Sequence, residues 1–307
     1  MLMSWLKLLR LPTVFTALSN ICCGWFISHS SQSPGEILSQ PSFWLLLLSS
    51  AGLYLGGMVL NDVCDAKLDA VERPERPIPS GRISRHHAAI FGAVLLIIGM
   101  AAALTSDILV RSPSCSGAIA LSLAFAVLAY DAFLKNTVSA PIGMATCRFL
   151  NLLLGTSAAG TLPDIFNGHT VVVATALAVY VFGVTWFARN EAGQSSRMSL
   201  AAAVVVVMTG IAVNVAGALK SQPLNSQVQG CFIVLALVAI NILRRTSAAI
   251  RGQQPVALQK AVGFMLLNII FIDAAMTFCY TGSATASATV IALILPAMLL
   301  KRIIPMS

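Results

Sequence analysis

Ten apolar runs divide this chain, at roughly residues 11–28, 42–60, 86–105, 117–134, 139–159, 169–187, 198–219, 228–243, 261–280 and 285–300. Most approach the ~20 residues that a helix needs to cross a hydrocarbon core about 30 Å thick. The composition agrees, since 57% of the 307 residues are hydrophobic and only 10% are charged, well outside ordinary globular usage. The expected fold class is an all-α polytopic membrane protein of nine or ten transmembrane helices, in one domain over residues 1–307.

A formal charge of +8 would fit nucleic acid if the basic residues gathered on one soluble face. They follow the spans instead. With the amino terminus in the cytoplasm, sixteen Lys and Arg residues fall on the inner connections, and only Arg111 and Lys220 on the outer ones. That bias predicts an inner-side location for the polar segments, in a bacterial inner membrane. Lys7 and Arg10 ahead of the first run resemble the start of a signal peptide, but no small-x-small cleavage site follows near residue 28, so the run reads as a retained helix. The seven cysteines, Cys22, Cys23, Cys64, Cys115, Cys147, Cys231 and Cys279, show no C-x-x-C spacing. Most read as small buried hydrophobes, with neither zinc nor a disulfide framework.

One polar stretch, residues 61–85, reads NDVCDAKLDAVERPERPIPSGRISR. Asp62, Asp65 and Asp69 are spaced i, i+3, i+7, so a helix continuing out of the second run places all three on one face. Such crowding raises the cost of ionising the set unless a cation neutralises it, and oxygen-only ligands suit Mg²⁺. Arg73 and Arg76 carry guanidinium forks that fit phosphate oxygens. Pro74, Pro77 and Pro79 are expected to stop the helix and hold the segment extended. Acids for Mg²⁺ beside bases for phosphate describe a diphosphate site at a membrane surface. The bland alternative is a solvated loop that serves topology alone.

The order Asn-Asp-x-x-Asp-x-x-x-Asp, followed by Arg-Pro-x-Arg-Pro-Ile-Pro-Ser-Gly, resembles the first aspartate-rich signature of the UbiA-type intramembrane prenyltransferases. It matches at Asn61, Asp62, Asp65, Asp69, Arg73, Arg76, Pro77, Ser80 and Gly81. The resemblance implies a helical bundle around a central cavity, with Mg²⁺ as cofactor, a prenyl diphosphate as donor and a lipid-soluble acceptor, aromatic or other. Tyr130 and Lys135 at the end of the fourth run also resemble this family, where such a Lys helps hold the diphosphate. An interfacial aromatic and a topology anchor explain them equally well. The wording of the first motif and of the run from Cys147 to Gly155 resembles a divergent bacterial branch called EboC-like.

Arg148 lies inside an apolar run, where a bare cation costs roughly 2.5–3.5 kcal/mol on translocon scales. With Asn151 and Gly155 it forms an Arg-x-x-Asn-x-x-x-Gly pattern similar to the family's fifth helix, which implies that Arg148 and Asn151 point into the polar head of the cavity. Pairing with a buried carboxylate is the structural alternative. At the end of the sixth run the family carries a second aspartate-rich motif for a second Mg²⁺. Here Arg189, Asn190 and Glu191 stand at that junction, with Glu191 the only carboxylate. Three outcomes fit: a one-metal or loosely bound two-metal enzyme, an unusual donor or acceptor, or a fold that binds prenyl lipid without transferring it.

The expected function is therefore Mg²⁺-dependent transfer of an isoprenoid chain. Asn61, Asp62, Asp65 and Asp69, with Asn190 and Glu191, are the expected metal set. Asp62, Asp65, Asp69 and Arg148 are the expected catalytic residues, and Arg73, Arg76, Tyr130, Lys135, Arg148, Asn151 and Arg189 the expected substrate contacts. A non-catalytic carrier of prenyl lipid is the second reading. A transporter would need related halves, and no repeat is visible. The Asp-Gly-x-x-Ala-Arg spacing of CDP-alcohol phosphatidyltransferases is absent.

Smaller features complete the reading. The small residues from Ala51 to Met58 let helices approach closely or leave room for a lipid chain. His86 and His87 join a basic patch facing anionic lipid. Asp107 and Arg111 read as a surface pair, and Asn214, Asn241 and Asn268 as interhelical hydrogen-bonding residues. Asp273 is an intramembrane acid, read as a cavity residue or a partner for Arg148.

Overall fold

The computed structural model describes residues 2–110, 114–189 and 196–303, and all the regular structure among them is helical. The long helices are α1 (Phe15–Ser28), α2 (Pro41–Glu72), α3 (Arg85–Val110), α4 (Ser116–Ala129), α5 (Ala140–Thr156), α6 (His169–Arg189), α7 (Arg197–Ser221), α8 (Ser226–Gly252), α9 (Pro255–Thr281) and α10 (Ala284–Ile303). Among the described residues eight helices are long and apolar enough to cross a membrane. The pair Met3–Thr13 and Phe15–Ser28, bent by 41°, makes a ninth. The chain is an integral membrane protein.

Outward faces are apolar, as at Ile97, Phe125 and Leu295, which suits contact with lipid. Inside, burying more apolar surface gains little against lipid tails, so close backbone approach does more of the packing. Gly24 of α1 meets Leu152 and Gly155 of α5, and a Cβ at either glycine would strike the other helix's backbone. Gly56 packs in the same way against Gly92 of α3, so the small residues of α2 serve partly as a close helix contact. α5, with 17 residues, touches α1, α4 and α6. Across the bundle, the buried Tyr180 of α6 donates its hydroxyl to the Met265 carbonyl of α9 at 2.7 Å.

Helix α2 runs unbroken from the apolar span through all three aspartates and stops before Arg73-Pro74, because a residue ahead of proline disfavours the α region. The following segment is not extended as expected. It coils into turns, with Ser80 N–H donating to the Arg76 carbonyl, Gly81 N–H to Ile78 and Ile83 N–H to Pro77, each at 3.0 Å. Gly81 supplies the left-handed residue (φ 73°) that such a turn needs. The cause is burial: Ile78 and Ile83 tuck against Leu8, Val59, Val63 and Ala88 under the ends of α2 and α3.

Asp107, read as half of a surface pair with Arg111, caps a helix: Oδ1 accepts from Ser116 N–H at 2.9 Å and Oδ2 from Gly117 N–H at 2.8 Å, which satisfies free donors at the start of α4. Arg111 lies outside the described residues. Asn241 and Asn268 donate to carbonyls of their own helices, Leu237 and Phe264, rather than across helices.

Candidate active site

The end of α2, the turns after it and the end of α4 meet in a cluster of opposite charges. Asp62 and Asp69, seven residues apart on α2, are both buried. Arg76 swings back from the turns to bridge them, with Nη1 2.7 Å from Asp69 Oδ2 and 3.6 Å from Asp62 Oδ1. Arg10 takes a left-handed backbone (φ 46°) just before α1, which costs energy for a non-glycine residue, and places Nη2 2.7 Å from Asp62 Oδ1.

Asp65 leans the other way, toward α4, where Lys135 Nζ lies 2.6 Å from Oδ1 and also donates to the Asn61 carbonyl at 3.3 Å. The three aspartates therefore do not converge on a single point. Among the described residues no trio of acidic, His or Cys side chains is close enough to hold a metal; Arg10, Arg76 and Lys135 stand between the aspartates instead.

Asp131 belongs to the cluster although its sequence position alone did not single it out. It sits in a single π turn, Tyr130–Leu134, that follows α4, and it is 5% exposed. Oδ1 accepts from Asn61 Nδ2 at 2.9 Å, while Oδ2 is buried without a hydrogen-bond partner among the described residues.

Beneath the charges a cavity of about 180 Å³ runs between α2, α4 and α5. Arg10, Asn61 and Asp131 form its polar head, Leu53, Met58, Leu123, Val127 and Met144 its apolar wall, and Arg148 and Asn151 its floor. Gly57 lets α2 and α4 approach closely here, since a Cβ at that position would strike the Val127 side chain.

The floor is a network built around α1. Arg148 Nη2 donates to Thr16 Oγ1 at 2.8 Å and Nη1 to Asn20 Oδ1 at 3.1 Å, and the guanidinium carbon lies 5.4 Å from the Tyr54 ring centre. Asn151 Nδ2 donates to the Ala17 carbonyl at 2.9 Å, and its Oδ1 accepts from Ser50 at 2.7 Å. Asp273, 1% exposed, neither lines the cavity nor pairs directly with Arg148. Its Oδ2 accepts from Ser19 at 2.6 Å and from Asn20 Nδ2 at 2.7 Å, so Asn20 stands between acid and guanidinium.

The sequence-stretch candidates thus divide. Asn61, Asp62, Asp65, Asp69, Arg76, Tyr130, Lys135, Arg148 and Asn151 gather around the cavity and its charged head. Arg73, at the end of α2, is exposed and makes no ion pair among the described residues. Arg189 is exposed at the end of α6, within electrostatic range of Tyr130. Asn190 and Glu191 lie outside the described residues. Arg10 carried only a topology signal in the sequence. An acid beside Tyr130 at the end of a membrane span was the signal for Asp131.

The donor set fits Mg²⁺. Asn61, Asp62, Asp65, Asp69 and Asp131 can all present hard oxygen donors, and the buried Asp131 Oδ2 has no hydrogen-bond partner among the described residues.

Comparison with known proteins bears on this arrangement. The model of the UbiA prenyltransferase family matches residues 17–305. A digeranylgeranylglyceryl phosphate synthase of Methanoregula boonei is 37% identical over 111 residues, covering 36% of this chain and 37% of its own length. For two further synthases of that name the shares of their length are 33% and 54%, so this chain spans about a third to a half of the curated relatives it matches. A UbiA homolog from Aeropyrum pernix superposes with a TM-score of 0.66 at 16% identity, covering 86% of this chain and 96% of the other. A homolog from Archaeoglobus fulgidus, bound to GPP and Mg²⁺, gives 0.60 at 14% identity, with 94% and 99% covered. At such identities these structures establish the shared fold.

Proposed function

Because this chain belongs to the UbiA prenyltransferase family, we propose that it transfers a prenyl chain from a prenyl diphosphate to a lipid-soluble acceptor, with Mg²⁺ at the diphosphate. The observation that carries the proposal is the stack of paired acids and bases directly above an apolar cavity with a cation in its floor. A prenyl diphosphate has the same division, a polyanionic head on a greasy tail.

In the resting arrangement Arg10, Arg76 and Lys135 neutralise the acids of α2. On donor binding these cations exchange carboxylate for phosphate oxygens, which Arg forks accept in pairs. The freed Asp62, Asp65 and Asp69, with Asn61, would then hold the metal, and Asn190 and Glu191 belong to the same expected set. Bound there, Mg²⁺ would act as a Lewis acid on the leaving diphosphate.

Arg148 faces the developing negative charge from the floor, and Tyr130, Asn151, Arg73 and Arg189 complete the contacts to the head group. Cleavage of the C1–O bond leaves an allylic cation and diphosphate. The walls formed by Leu53, Met58, Leu123, Val127 and Met144 keep water from the cation until the acceptor attacks. At about 180 Å³ the cavity holds a short chain segment, so a longer tail extends between helices into lipid.

Names of the relatives make a glyceryl phosphate lipid the first acceptor to try, and an aromatic acceptor the second. The excess of inner-side Lys and Arg favours the cytoplasmic leaflet as the working surface. The test is a labelled prenyl diphosphate in proteoliposomes with each acceptor. Mg²⁺-dependent diphosphate release coupled to a prenylated product is the expected result. Binding without metal-dependent release would favour a carrier.

A further inference from the structure

We propose that Asp131 is itself a metal ligand, making up for the carboxylates that the junction after α6 lacks. This rests on the Mg²⁺–diphosphate reading above.

Each acid on the site-facing end of α2 has its own cation: Asp62 has Arg10, Asp69 has Arg76 and Asp65 has Lys135. Asp131 lies in the same cluster and has no ion pair among the described residues. It is 5% exposed, and its Oδ2 meets no donor among the described residues. A buried carboxylate oxygen left unmatched is costly, and folds rarely keep one without a use. The remaining oxygen, Oδ1, is held by Asn61, which the family signature places in the metal set. That bond fixes the carboxylate beside the α2 donors at the head of the cavity.

Local backbone geometry supports the same assignment. Lys135 N–H bonds to the Tyr130 carbonyl at 3.0 Å, five residues back, closing a π turn. Such turns are rare and occur frequently at functional sites, because the wider ring rotates the side chains that follow. Here the insertion accompanies an inward Asp131, while Lys135 still reaches Asp65. Meanwhile, between Arg189 and Arg197 the chain carries one carboxylate, Glu191. Asp131 restores an anionic oxygen to the set from α4.

The experiment measures Mn²⁺ binding by electron paramagnetic resonance to the full-length chain in nanodiscs, with an unreactive prenyl thiolodiphosphate present. Wild type, Asp131→Asn and Asp131→Cys are compared, with thermal melting as the check on folding. Asp131→Asn is expected to weaken Mn²⁺ by about tenfold or more, as loss of an anionic ligand does. Asp131→Cys is expected to gain Cd²⁺ over wild type, because thiolate prefers the softer ion.

If the wild type binds Mn²⁺, Asp131→Asn binds it equally well and Asp131→Cys gains no Cd²⁺, Asp131 is no ligand and the α2 site stands without it. Should Asp131→Asn fail to fold, the Cd²⁺ result for Asp131→Cys decides. A wild type that binds no Mn²⁺ even with the analogue overturns the metal–diphosphate reading itself, and this inference with it.

Discussion

Replacing Arg148 by Met removes the cation from the cavity floor while keeping a long, flexible side chain in its place. For the fold, two effects oppose each other. The guanidinium gives up hydrogen bonds to Thr16 and Asn20, at 2.8 and 3.1 Å. Bonds involving a charged group are worth about 1.5–3 kcal/mol each. Against that, removing a charge from membrane depth relieves roughly 2.5–3.5 kcal/mol. Thr16 keeps its bond to the Thr13 carbonyl, which limits the damage further. Stability is therefore expected to fall by no more than about 3 kcal/mol.

For catalysis nothing offsets the loss. A preorganised donor aimed at developing charge contributes about 2.7–4 kcal/mol, or ~10²–10³ in kcat. The assay is donor kcat and KM in proteoliposomes alongside a melting curve. A fall of about that size in kcat with a well-folded protein is expected. Transfer that stays within about threefold of wild type would refute a role for the floor cation at the leaving group.

Other substitutions separate the parts of the site. Asp65→Asn should abolish transfer while membrane insertion remains intact, and unchanged turnover would remove Asp65 from the metal set. Gly57→Leu puts a side chain where even a Cβ strikes Val127, so donors should bind more weakly, and unaltered donor KM would show that the tail does not pass between α2 and α4. Asp107→Ala removes the cap from the start of α4, far from the cavity, and should cost about 1 kcal/mol in melting with transfer unaffected.

Much of the bundle was legible because lipid imposes a simple rule, that apolar runs of sufficient length become helices. Where charges end the apolar run, the rule gives the span but not the helix. The run 228–243 is short, yet α8 covers 27 residues, because Arg244, Arg245 and Arg251 continue it beyond the apolar stretch and Arg245 stacks 4.0 Å over the Phe264 ring. Pro296 explains the break within α10, since it lacks the N–H that would bond to Ala292, where the first segment stops.

The site was half legible. Residue types and spacing on α2 and α5 were enough to gather Asn61, the three aspartates, Arg148 and Asn151. Directions set by backbone were not. Arg10 reaches Asp62 only through a left-handed residue that no side-chain pattern announces. Asp131 faces inward beside a π turn that looks like any α-helical stretch in the sequence. The prolines after Arg73 point to an extended segment, but the burial of Ile78 and Ile83 in the apolar cluster coils it into turns.

The most direct measurement is a structure of the protein in lipid with an unreactive prenyl diphosphate analogue and Mn²⁺, phased to reveal the metal by its anomalous signal. Mn²⁺ is expected against Asn61, Asp62, Asp65 and Asp69, with the phosphates reaching Arg10, Arg76 and Lys135 on one side and Arg148 on the other, and the tail running past Gly57. Metal or phosphate lodged elsewhere, with the acids of α2 still locked to their arginines and lysine, would contradict it.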